Sequence, residues 1–568
     1  MTKRILFILS ILFIPSCQWL PEVGKVSLSE SSVALKVGGS RTLTATVEPA
    51  AAEYEGIIWH TSDPSVVLVS NGRIVAEKVG SATITASAAG VTSSPCQVTV
   101  SKTPVSNVSL NKSSVSILEG ESLALKVTVS PSDATNGSVT WSTGNSKVAI
   151  VSSSGTITAV EEGETTITAK SADSGIIATC RVVVTAEYVD FPDPNFRKYM
   201  VENFDLNKNG KISLTEAVKV TTIEVNTDNI ESLDGIEYCT SLLRLVCDGS
   251  FSYSNNRSNG LLKSLNVSKN SSLQSLSCCD NQLTTLDISG NNALTFLNCN
   301  RNRLPDLNVS KNVALTQLYC NSNQLTALNV SNNVALTHLS CYVNQLATLD
   351  VSRNTALIYL DCHANQLTSL DVSRNTALTH LGCYFNQLTS LNVSKNTTLI
   401  SLGCGINQLT SLDVSRNTAL TQLDCFQNQL ATLDVSKNTA LTSLKCFSNQ
   451  LTSLDVSRNT ALKNLDCDSN QLTSLDVSKN SALTHLYCSS NQLTTLDVTK
   501  NTALTHLHCS SNQLTILDVS ENTALTYLQC SPMSSLKTLY VAPEQSIDGV
   551  TFNRKNGCVP YGTSIVTK

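Results

Sequence analysis

The 568-residue chain is short of charged and aromatic residues. Charged residues make up 15% of it and aromatic residues 5%, and the formal net charge is −5. A protein that binds nucleic acid through the phosphates needs a surplus of positive charge, so this composition disfavours a nucleic-acid partner. Mild acidity with few charges instead suits an exported, β-rich surface protein.

Enzyme motifs and long apolar runs are missing as well. The chain has no phosphate-binding glycine loop, no zinc-ligand spacing, and no nucleophile, base and orienting acid in a recognisable motif. Beyond the N-terminal region, no segment approaches the roughly 18 consecutive apolar residues of a membrane-spanning helix. The sequence therefore predicts a protein that is not an enzyme and that spans no membrane.

The N-terminus has the pattern of an export signal. Two basic residues precede the apolar run 5–14, which ends in Pro15-Ser16-Cys17. The run is too short to cross a bilayer as a mature helix, so it predicts a signal peptide. Its end resembles the lipobox of bacterial lipoproteins, and an ordinary cleaved signal is the alternative. The resemblance implies that Cys17 is acylated, and it predicts attachment to the bacterial outer membrane or cell surface through that lipid.

Residues 25–185 alternate with a period of two and are rich in Val, Ser and Thr, which predicts antiparallel β-sandwiches. The stretch also repeats itself. Six residues return 81 to 84 positions later: Gly39, Pro49, Trp59, Gly72, Gly80 and Cys96 as Gly120, Pro131, Trp141, Gly155, Gly163 and Cys180. Two tandem domains of about 80 residues are predicted.

The order of these features resembles the bacterial immunoglobulin-like domain of group 2, and the resemblance covers both modules. It implies sandwich domains that serve as spacers or adhesive units of surface proteins. Trp59 and Trp141 are predicted to be core residues, as one large aromatic per small sandwich usually is. Each module has one cysteine, Cys96 or Cys180, so neither can close its own disulfide, and both are predicted to be buried thiols.

A short loop after the second module has the donor pattern of a calcium site. Asp193-Pro194 predicts the start of a helix, and the segment 205–216 follows it with Gly210 at the sharp turn. Its predicted oxygen ligands are Asp205, Asn207, Asn209, the carbonyl of Lys211, Ser213 and Glu216. The pattern resembles a single EF-hand or dockerin-type loop and predicts one structural Ca²⁺. Because only two ligands are carboxylates, the expected dissociation constant is about 10⁻⁴ to 10⁻³ M or somewhat tighter.

The largest part of the chain is a repeat array with a period of 21 residues. From Cys278 to Cys530, thirteen cysteines occupy one phase of the repeat without a slip. The unit Leu-x-x-Leu-x-Cys-x-x-Asn-Gln-Leu-x-x-Leu-Asp-Val-Ser-x-Asn resembles the leucine-rich repeat, and its cysteine column resembles the cysteine-laddered members of the internalin adhesins. The two halves of the unit carry similar Leu and Asn patterns, which predicts two extended segments per turn. The turns are expected to stack about 4.8 Å apart. The cysteines are predicted to be reduced and buried, because parallel in-register side chains are poorly oriented for disulfides. A metal-binding column is disfavoured, because no histidine or carboxylate shares their phase.

Two polar columns accompany the apolar ones. The asparagines in the phase of Asn281 and Asn512 are predicted to form an amide ladder that bonds open backbone groups at the bend. A second column is basic in eight successive turns, for example Arg353, and an almost matched acidic column stands three residues earlier, for example Asp350. Pairing between the two columns is the favoured interpretation, and a ribbon for an anionic polymer is the alternative.

The positions where the repeats differ carry the functional information, because a repeat fixes what the fold needs and varies what faces a ligand. Strand alternation turns these side chains outward where Cys points inward, which predicts a binding face for a protein or a glycan. The alternative is that contacts between turns merely stabilise the sheet. The predicted ligand-binding face comprises Tyr319, His338, Tyr342, Tyr359, Asp361, His363, His380, Tyr384, Phe426, Phe447, His485, Tyr487, His506 and His508. Ser401, Gly403 and Gly405 are predicted to leave a shallow gap after its densest part.

The sequence thus predicts a multidomain, mainly β protein in which a short helical junction joins two sandwiches to a solenoid. The predicted segments are a signal peptide (1–17), a linker (18–24), two immunoglobulin-like domains (25–101 and 105–185), a helical cap with the calcium loop (187–220), the leucine-rich solenoid (221–541) and a C-terminal cap (542–568). The favoured function is a lipid-anchored, adhesin-like surface protein. A structural spacer of the surface or matrix, and a glycan-capture lipoprotein that serves nutrient uptake, are the alternatives.

Overall fold

The computed structural model describes residues 21–543, 545 and 558–568. The chain divides into two compact units, one up to Glu187 and one from Tyr188 to Lys568. Cys17, the predicted signal peptide and part of the predicted linker and C-terminal cap lie outside the described residues. Within the described ranges, no helix combines the length and the apolar character needed to cross a membrane.

The first unit contains two sandwiches built from the alternating segments. The strands of the first are β1 (Lys25–Leu28), β2 (Ser32–Lys36), β3 (Ser40–Thr42), β4 (Ala45–Glu48), β5 (Ile58–Thr61), β6 (Val67–Ser70), β7 (Arg73–Ala76), β8 (Gly80–Ala88), β9 (Val91–Thr92) and β10 (Cys96–Ser101). They form a main sheet in the order β2-β10-β8-β5, in which β9 also pairs with β8, a second sheet β3-β7-β6 and the pair β1-β4. Strand β8 buries every second residue, as its period of two predicts.

The second sandwich repeats this arrangement. Its strands are β11 (Asn107–Leu110), β12 (Ser114–Leu118), β13 (Ser122–Ala124), β14 (Val127–Ser130), β15 (Val139–Thr143), β16 (Ala149–Val151), β17 (Thr156–Ala159), β18 (Gly163–Ser171) and β19 (Ile177–Thr185). The sheets are β12-β19-β18-β15, β13-β17-β16 and β11-β14. Both predicted modules are therefore present as β-sandwiches.

Each sandwich is organised around its tryptophan. Trp59 is partly buried and packs against both apolar clusters of the first module, and Trp141 does the same in the second. A Cβ added at Gly72 would lie 2.9 Å from Trp59 Cζ2, and one at Gly155 would lie 2.5 Å from Trp141 Cζ2. Both glycines also have positive φ, 82° and 85°, so the paired Trp and Gly of the sequence are one packing feature.

The second unit begins with a helical cap. Helix α1 (Pro194–Phe204) starts at Asp193, whose carboxylate Oδ1 accepts hydrogen bonds from the N–H groups of Asn195 and Phe196. Phe196 and Met200 are fully buried in the solenoid core, as their spacing predicts. A short helix, α2 (Leu214–Ala217), and a 3₁₀ turn at Ile236–Tyr238 follow. The cap closes the first turn of the solenoid with apolar side chains.

The solenoid is a stack of turns joined by one parallel sheet of 15 strands. These are β20 (Thr222–Glu224), β21 (Arg244–Val246), β24 (Ser275–Ser277), β25 (Phe296–Asn298), β26 (Gln317–Tyr319), β27 (His338–Ser340), β28 (Tyr359–Asp361), β29 (His380–Gly382), β30 (Ser401–Gly403), β31 (Gln422–Asp424), β32 (Ser443–Lys445), β33 (Asn464–Asp466), β34 (His485–Tyr487), β35 (His506–His508) and β37 (Tyr527–Gln529). Each strand pairs in register with the next, so equivalent residues of successive turns form columns.

The prediction of a second extended segment in every turn was wrong. Among the described residues of the opposite side, pairing is limited to two isolated bridges, Asn266–Asp287 and Asp497–Asp518, and to a three-stranded sheet at the C-terminal end. That sheet consists of β36 (Ile516–Asp518), β38 (Thr538–Val541) and β39 (Ser564–Thr567). In turns with and without these bridges, the Asp or Asn at this position accepts a hydrogen bond from the backbone two residues on, as Asp350 Oδ1 does from the Ser352 N–H at 2.9 Å.

The same contacts overturn the predicted pairing of the charge columns. Among the described residues, none of the eight basic side chains in the phase of Arg353 lies within 4 Å of a carboxylate. The hydrogen bonds from Ser352 hold the pKa of Asp350 below its usual range. The acidic residues thus stabilise the turns of their own repeats through hydrogen bonds. Within the described part of the chain they do not form salt bridges between repeats.

The cysteine column forms the interior beside the leucines. All thirteen cysteines from Cys278 to Cys530 in the 21-residue phase are buried and free, as predicted. Burial raises the pKa of the Cys404 thiol to about 12, and most of its neighbours in the column are raised further above the ordinary value. These thiols are therefore protonated core residues.

Two asparagine ladders satisfy the backbone at the bends. In the predicted ladder, Asn365 Nδ2 donates to the carbonyls of Cys341 and Cys362 at 3.1 and 3.0 Å, and its Oδ1 accepts from the Leu346 N–H at 3.0 Å. In the other ladder, Asn354 Nδ2 donates to the carbonyls of Val330 and Asn333. The sequence showed the second asparagine column but not this role. Together the ladders tie each turn to its neighbour through buried amides.

Candidate binding face

The outward side chains of the 15-stranded sheet form the candidate binding face. In β28 the central Leu360 is fully buried, whereas Tyr359 and Asp361 flank it and are partly exposed. After Cys362 turns inward, His363 points outward again and is 16% exposed. Strand alternation therefore places the predicted residues on this face, as the sequence indicated.

Most of the predicted aromatic residues stack on one another along the columns. Tyr342, His363 and Tyr384 form a stack whose successive ring centroids are 4.3 Å apart. His338 and His380 lie on either side of Tyr359, at 6.0 and 6.1 Å. These contacts stabilise neighbouring turns by about 0.5–1.5 kcal/mol per pair, so the aromatic columns have a structural role whether or not they bind a ligand.

The remaining predicted residues form separate groups along the face. Their ring-centroid distances are 4.6 Å for Phe426–Phe447, 4.4 Å for His485–His506, 6.3 Å for Tyr487–His508 and 5.8 Å for Phe296–Tyr319. The aromatic column is interrupted between Tyr384 and Phe426, where Gly405 occupies the equivalent position. The face thus consists of several aromatic patches rather than one continuous stripe.

A cleft opens at this interruption. It has a volume of about 390 Å³, and the rings of Tyr384 and Phe426 stand at its sides. A Cβ at Gly403 would lie 3.1 Å from Tyr384 Cδ1, and one at Gly405 would lie 2.8 Å from Phe426 Cε1. The two rings therefore lean over glycines, and the gap predicted from Ser401, Gly403 and Gly405 is present.

Two carboxylates lie at the ends of the cleft. Asp361 is 2.6 Å from His363 Nδ1 and accepts a hydrogen bond from the Tyr359 hydroxyl at 3.3 Å. Burial and this carboxylate raise the pKa of Tyr359 to about 12, so its hydroxyl stays protonated.

At the other end, Asp424 Oδ2 accepts from Gln422 Nε2 at 3.0 Å and lies 3.7 Å from Lys445 Nζ. Asp424 Oδ1 is buried and has no hydrogen-bond partner within the described part of the chain. Aromatic walls with a carboxylate at each end suit a ligand that has both an apolar face and hydroxyl or amide donors.

A titratable group that the sequence did not reveal lies nearer the C-terminus. Asp468 Oδ2 is 3.6 Å from His508 Nδ1, and Ser510 Oγ is 2.9 Å from Nε2 of the same ring. Burial, followed by the neighbouring Asp466, raises the pKa of Asp468 to about 7. The contact between Asp468 and His508, which lie two turns apart, could not be read from the repeat. Among the described residues, no three His, Cys, Asp or Glu side chains are arranged to hold a metal ion.

The predicted calcium loop lies between α1 and α2 and turns its acidic groups inward. Asp205 accepts from the N–H groups of Asn209 and Gly210, at 3.2 and 2.7 Å. Glu216 is 4% exposed, and its carboxylate accepts from the N–H groups of Leu206 and Ser213, both at 2.9 Å.

Backbone geometry in the loop agrees with the sequence pattern. Gly210 has φ 81°, at the predicted sharp turn, and open space surrounds the position of its missing Cβ. Asn207 and Asn209 direct their side-chain oxygens to backbone N–H groups within the loop. The oxygen-only donor set and the inward carboxylates fit a Ca²⁺ ion.

Comparison with known proteins agrees with this architecture. The family model "Bacterial Ig-like domain (group 2)" matches residues 22–98 and 104–182. A protein of Clostridium acetobutylicum is 36% identical over 163 residues, which are 28% of this chain and 17% of that protein. An Ig-like virion protein of Serratia phage KSP90 is 30% identical over 169 residues, or 29% of this chain and 66% of the phage protein. The chain thus spans less than two thirds of the length of both relatives.

A solved structure matches the solenoid. The functional domain of InlJ from Listeria monocytogenes, which includes a cysteine ladder, is 34% identical with a TM-score of 0.50. The match covers 63% of this chain and 78% of that domain. A leucine-rich repeat protein of Leptospira interrogans shares the fold at 24% identity and the same TM-score, over 62% of this chain and 97% of its own.

Proposed function

Because the chain carries two bacterial immunoglobulin-like domains of group 2 and an internalin-like leucine-rich repeat solenoid, we propose that it is an adhesin-like surface protein. Its ligand is a protein or a glycan, and it binds the outward face of the parallel sheet. The matched families are binding or structural folds, which supports a role without catalysis. The cleft between Tyr384 and Phe426 is the observation that carries the proposal.

The cleft favours binding over mere cross-turn stabilisation. A purely structural column would continue its rings through every turn, since each stacked pair adds stability. Here the column stops, and glycines admit the two rings over an open cleft that Asp361 and Asp424 also line. Filling the cleft should therefore cost binding but not folding.

We predict that Ser401→Trp abolishes binding to the ligand of the face, because the indole occupies the cleft. Ser443→Trp is the matched control, since Ser443 occupies the same strand position two turns later and does not line the cleft. The purified chain and both variants are tested for saturable binding to immobilised matrix proteins, mucins and neutral glycans. Equal binding by the two variants contradicts the proposal. A folded parent chain that binds neither the panel nor intact host cells also contradicts it, and either result favours the spacer.

We also propose that the loop 205–216 holds one structural Ca²⁺. Calcium binds only the folded loop, so 5 mM CaCl₂ should stabilise the chain by about 1 kcal/mol or more if the dissociation constant is about 10⁻³ M or tighter. Differential scanning calorimetry with CaCl₂ and with chelator measures the shift in melting temperature. Asp205→Asn should remove most of the shift, whereas Asp228→Asn, outside the loop, should retain it. A parent chain that melts alike in calcium and in chelator has no site here.

The third part of the proposal is export and lipid attachment through Cys17. The support is the sequence pattern alone, because Cys17 lies outside the described residues. Bacteria grown with an alkyne-labelled palmitate should label the chain, and Cys17→Ser should lose the label and release the protein from the membrane fraction. A label that persists in the variant contradicts the assignment of Cys17.

A further inference from the structure

The repeat is interrupted once, by an insertion near the start of the solenoid. Cys247 and Cys278 stand 31 residues apart, whereas later cysteines of this phase are 21 apart. The extra residues form a hairpin of β22 (Phe251–Ser252) and β23 (Arg257–Ser258). Ser258 Oγ donates to Asp280 Oδ1 at 2.9 Å and fixes the hairpin to the next turn. A hairpin held in this way adds a wall to the side of the solenoid.

This wall borders an open cavity of about 520 Å³. Three arginines line it, Arg257 on the hairpin and Arg301 and Arg303 on the following turn. The other lining residues are polar amides and hydroxyls together with Phe251 and Val343, and no carboxylate is among them. For a chain with a formal net charge of −5, a carboxylate-free cavity with three guanidinium groups is a local inversion of charge.

Arg301 is already neutralised and held in place. Its Nε and Nη2 contact the two carboxylate oxygens of Asp280 at 2.5 and 2.8 Å, and its guanidinium lies 4.6 Å from the centroid of the Phe251 ring. The Asp280 side chain is 4% exposed and is not among the lining residues, so it holds Arg301 from behind the cavity wall. Arg301 therefore contributes a rigid, flat surface rather than a free charge.

Arg257 and Arg303 are different. Both are exposed, and neither makes an ion pair or a side-chain hydrogen bond within the described residues. Two uncompensated guanidinium forks thus face one cavity. Arginine forks bind planar or tetrahedral oxyanions through paired N–H groups, and the force is strongest where carboxylates do not compete.

The remaining lining residues indicate which kind of molecule the bound anionic group belongs to. Asn256 and Ser322 supply polar groups that suit hydroxyls of a ligand. The amide of Gln282 lies at the same wall, and its Nε2 donates to the Gly260 carbonyl at 3.1 Å. A cavity of this size accommodates a small saccharide unit. We propose that it is a second binding site, for an acidic saccharide whose sulfate or carboxylate group is held by Arg257 and Arg303.

The test compares two double variants of the purified full-length chain by isothermal titration calorimetry. Arg257→Gln/Arg303→Gln removes the two free guanidinium groups from the cavity. Arg353→Gln/Arg374→Gln is the matched control, because it removes the same charge from exposed, unpaired positions elsewhere on the solenoid. The probes are a sulfated chondroitin tetrasaccharide, its unsulfated form, trigalacturonate and inorganic sulfate.

The parent chain and the control should bind the sulfated tetrasaccharide or trigalacturonate, and the cavity variant should bind at least about tenfold more weakly, since a charged hydrogen bond is lost with each arginine. The sulfated and galacturonate arms distinguish which oxyanion is preferred. Equal weakening in both double variants would mean general attraction by surface charge and would overturn the proposal. So would failure of the parent to bind either acidic saccharide more tightly than inorganic sulfate. Thermal melts of both variants should match the parent, because the replaced side chains are exposed.

Discussion

Asn365→Ala is expected to destabilise the solenoid by about 3 kcal/mol. The side chain bonds the carbonyls of Cys341, Cys362 and His363 and accepts from the Leu346 N–H, all within the interior. Alanine leaves these backbone groups without a partner, and a buried unsatisfied group costs about 1–3 kcal/mol. The loss should be local, because each turn contacts only its neighbours.

Urea unfolding followed by circular dichroism measures the total effect, and hydrogen exchange locates it. Exchange should accelerate in turns 341–385 and remain unchanged in turns 446–490. The control is Gln366→Ala, since Gln366 is the exposed neighbour of Asn365 and its replacement should cost less than about 0.5 kcal/mol. If both variants unfold at the same urea concentration, the amide ladder does not stabilise the stack.

The native chain is expected to show almost no reactive thiols despite its 20 cysteines. Eighteen of them are buried and free, and Cys558 is the partly exposed one within the described residues. Thiolate is the reactive form, and burial raises the pKa of thiols such as Cys404 to about 12, so both access and ionisation are suppressed at pH 8.

Titration with Ellman's reagent checks this expectation. Cys558, together with Cys17 where it is not acylated, should react quickly, and the other thiols should appear only in 6 M guanidinium chloride. Cys558→Ser should remove the part of the fast phase that belongs to the C-terminal segment. Several fast thiols in the native chain would show that the column is open, and a shortfall after unfolding would show disulfides.

Columns that depend on the period alone could be predicted from sequence. Cys404 must share the environment of Cys383 and Cys425, because a 21-residue period repeated without a slip places them on one inward line. The ladder of Asn365 followed from the same periodicity and from the need to satisfy the backbone at a bend. The calcium-loop pattern likewise predicted the turn at Gly210.

Features that depend on competition between partners could not be predicted in this way. Asp350 and Arg353 have complementary charges in adjacent columns, but the nearest donor to the carboxylate is its own backbone turn, which costs less entropy to reach. Exposed ion pairs contribute little free energy, so Asp350 keeps the hydrogen bond to its own turn.

The arginine cavity was missed for another reason. It depends on where an inserted hairpin folds back, and an insertion has no phase in the repeat. Arg257 carries no signal that would place it beside Arg303, which lies in a later turn.

The direction of the ladder hydrogen bonds also governs how the solenoid responds to force. Its sheet bonds run along the stacking axis, so tension along that axis breaks them turn by turn rather than all at once. Each turn of 21 residues that peels away lengthens the chain from about 5 Å to about 70 Å. A stack of near-identical turns would therefore yield in equal steps and absorb a sudden pull, while the turns that remain folded keep their faces intact.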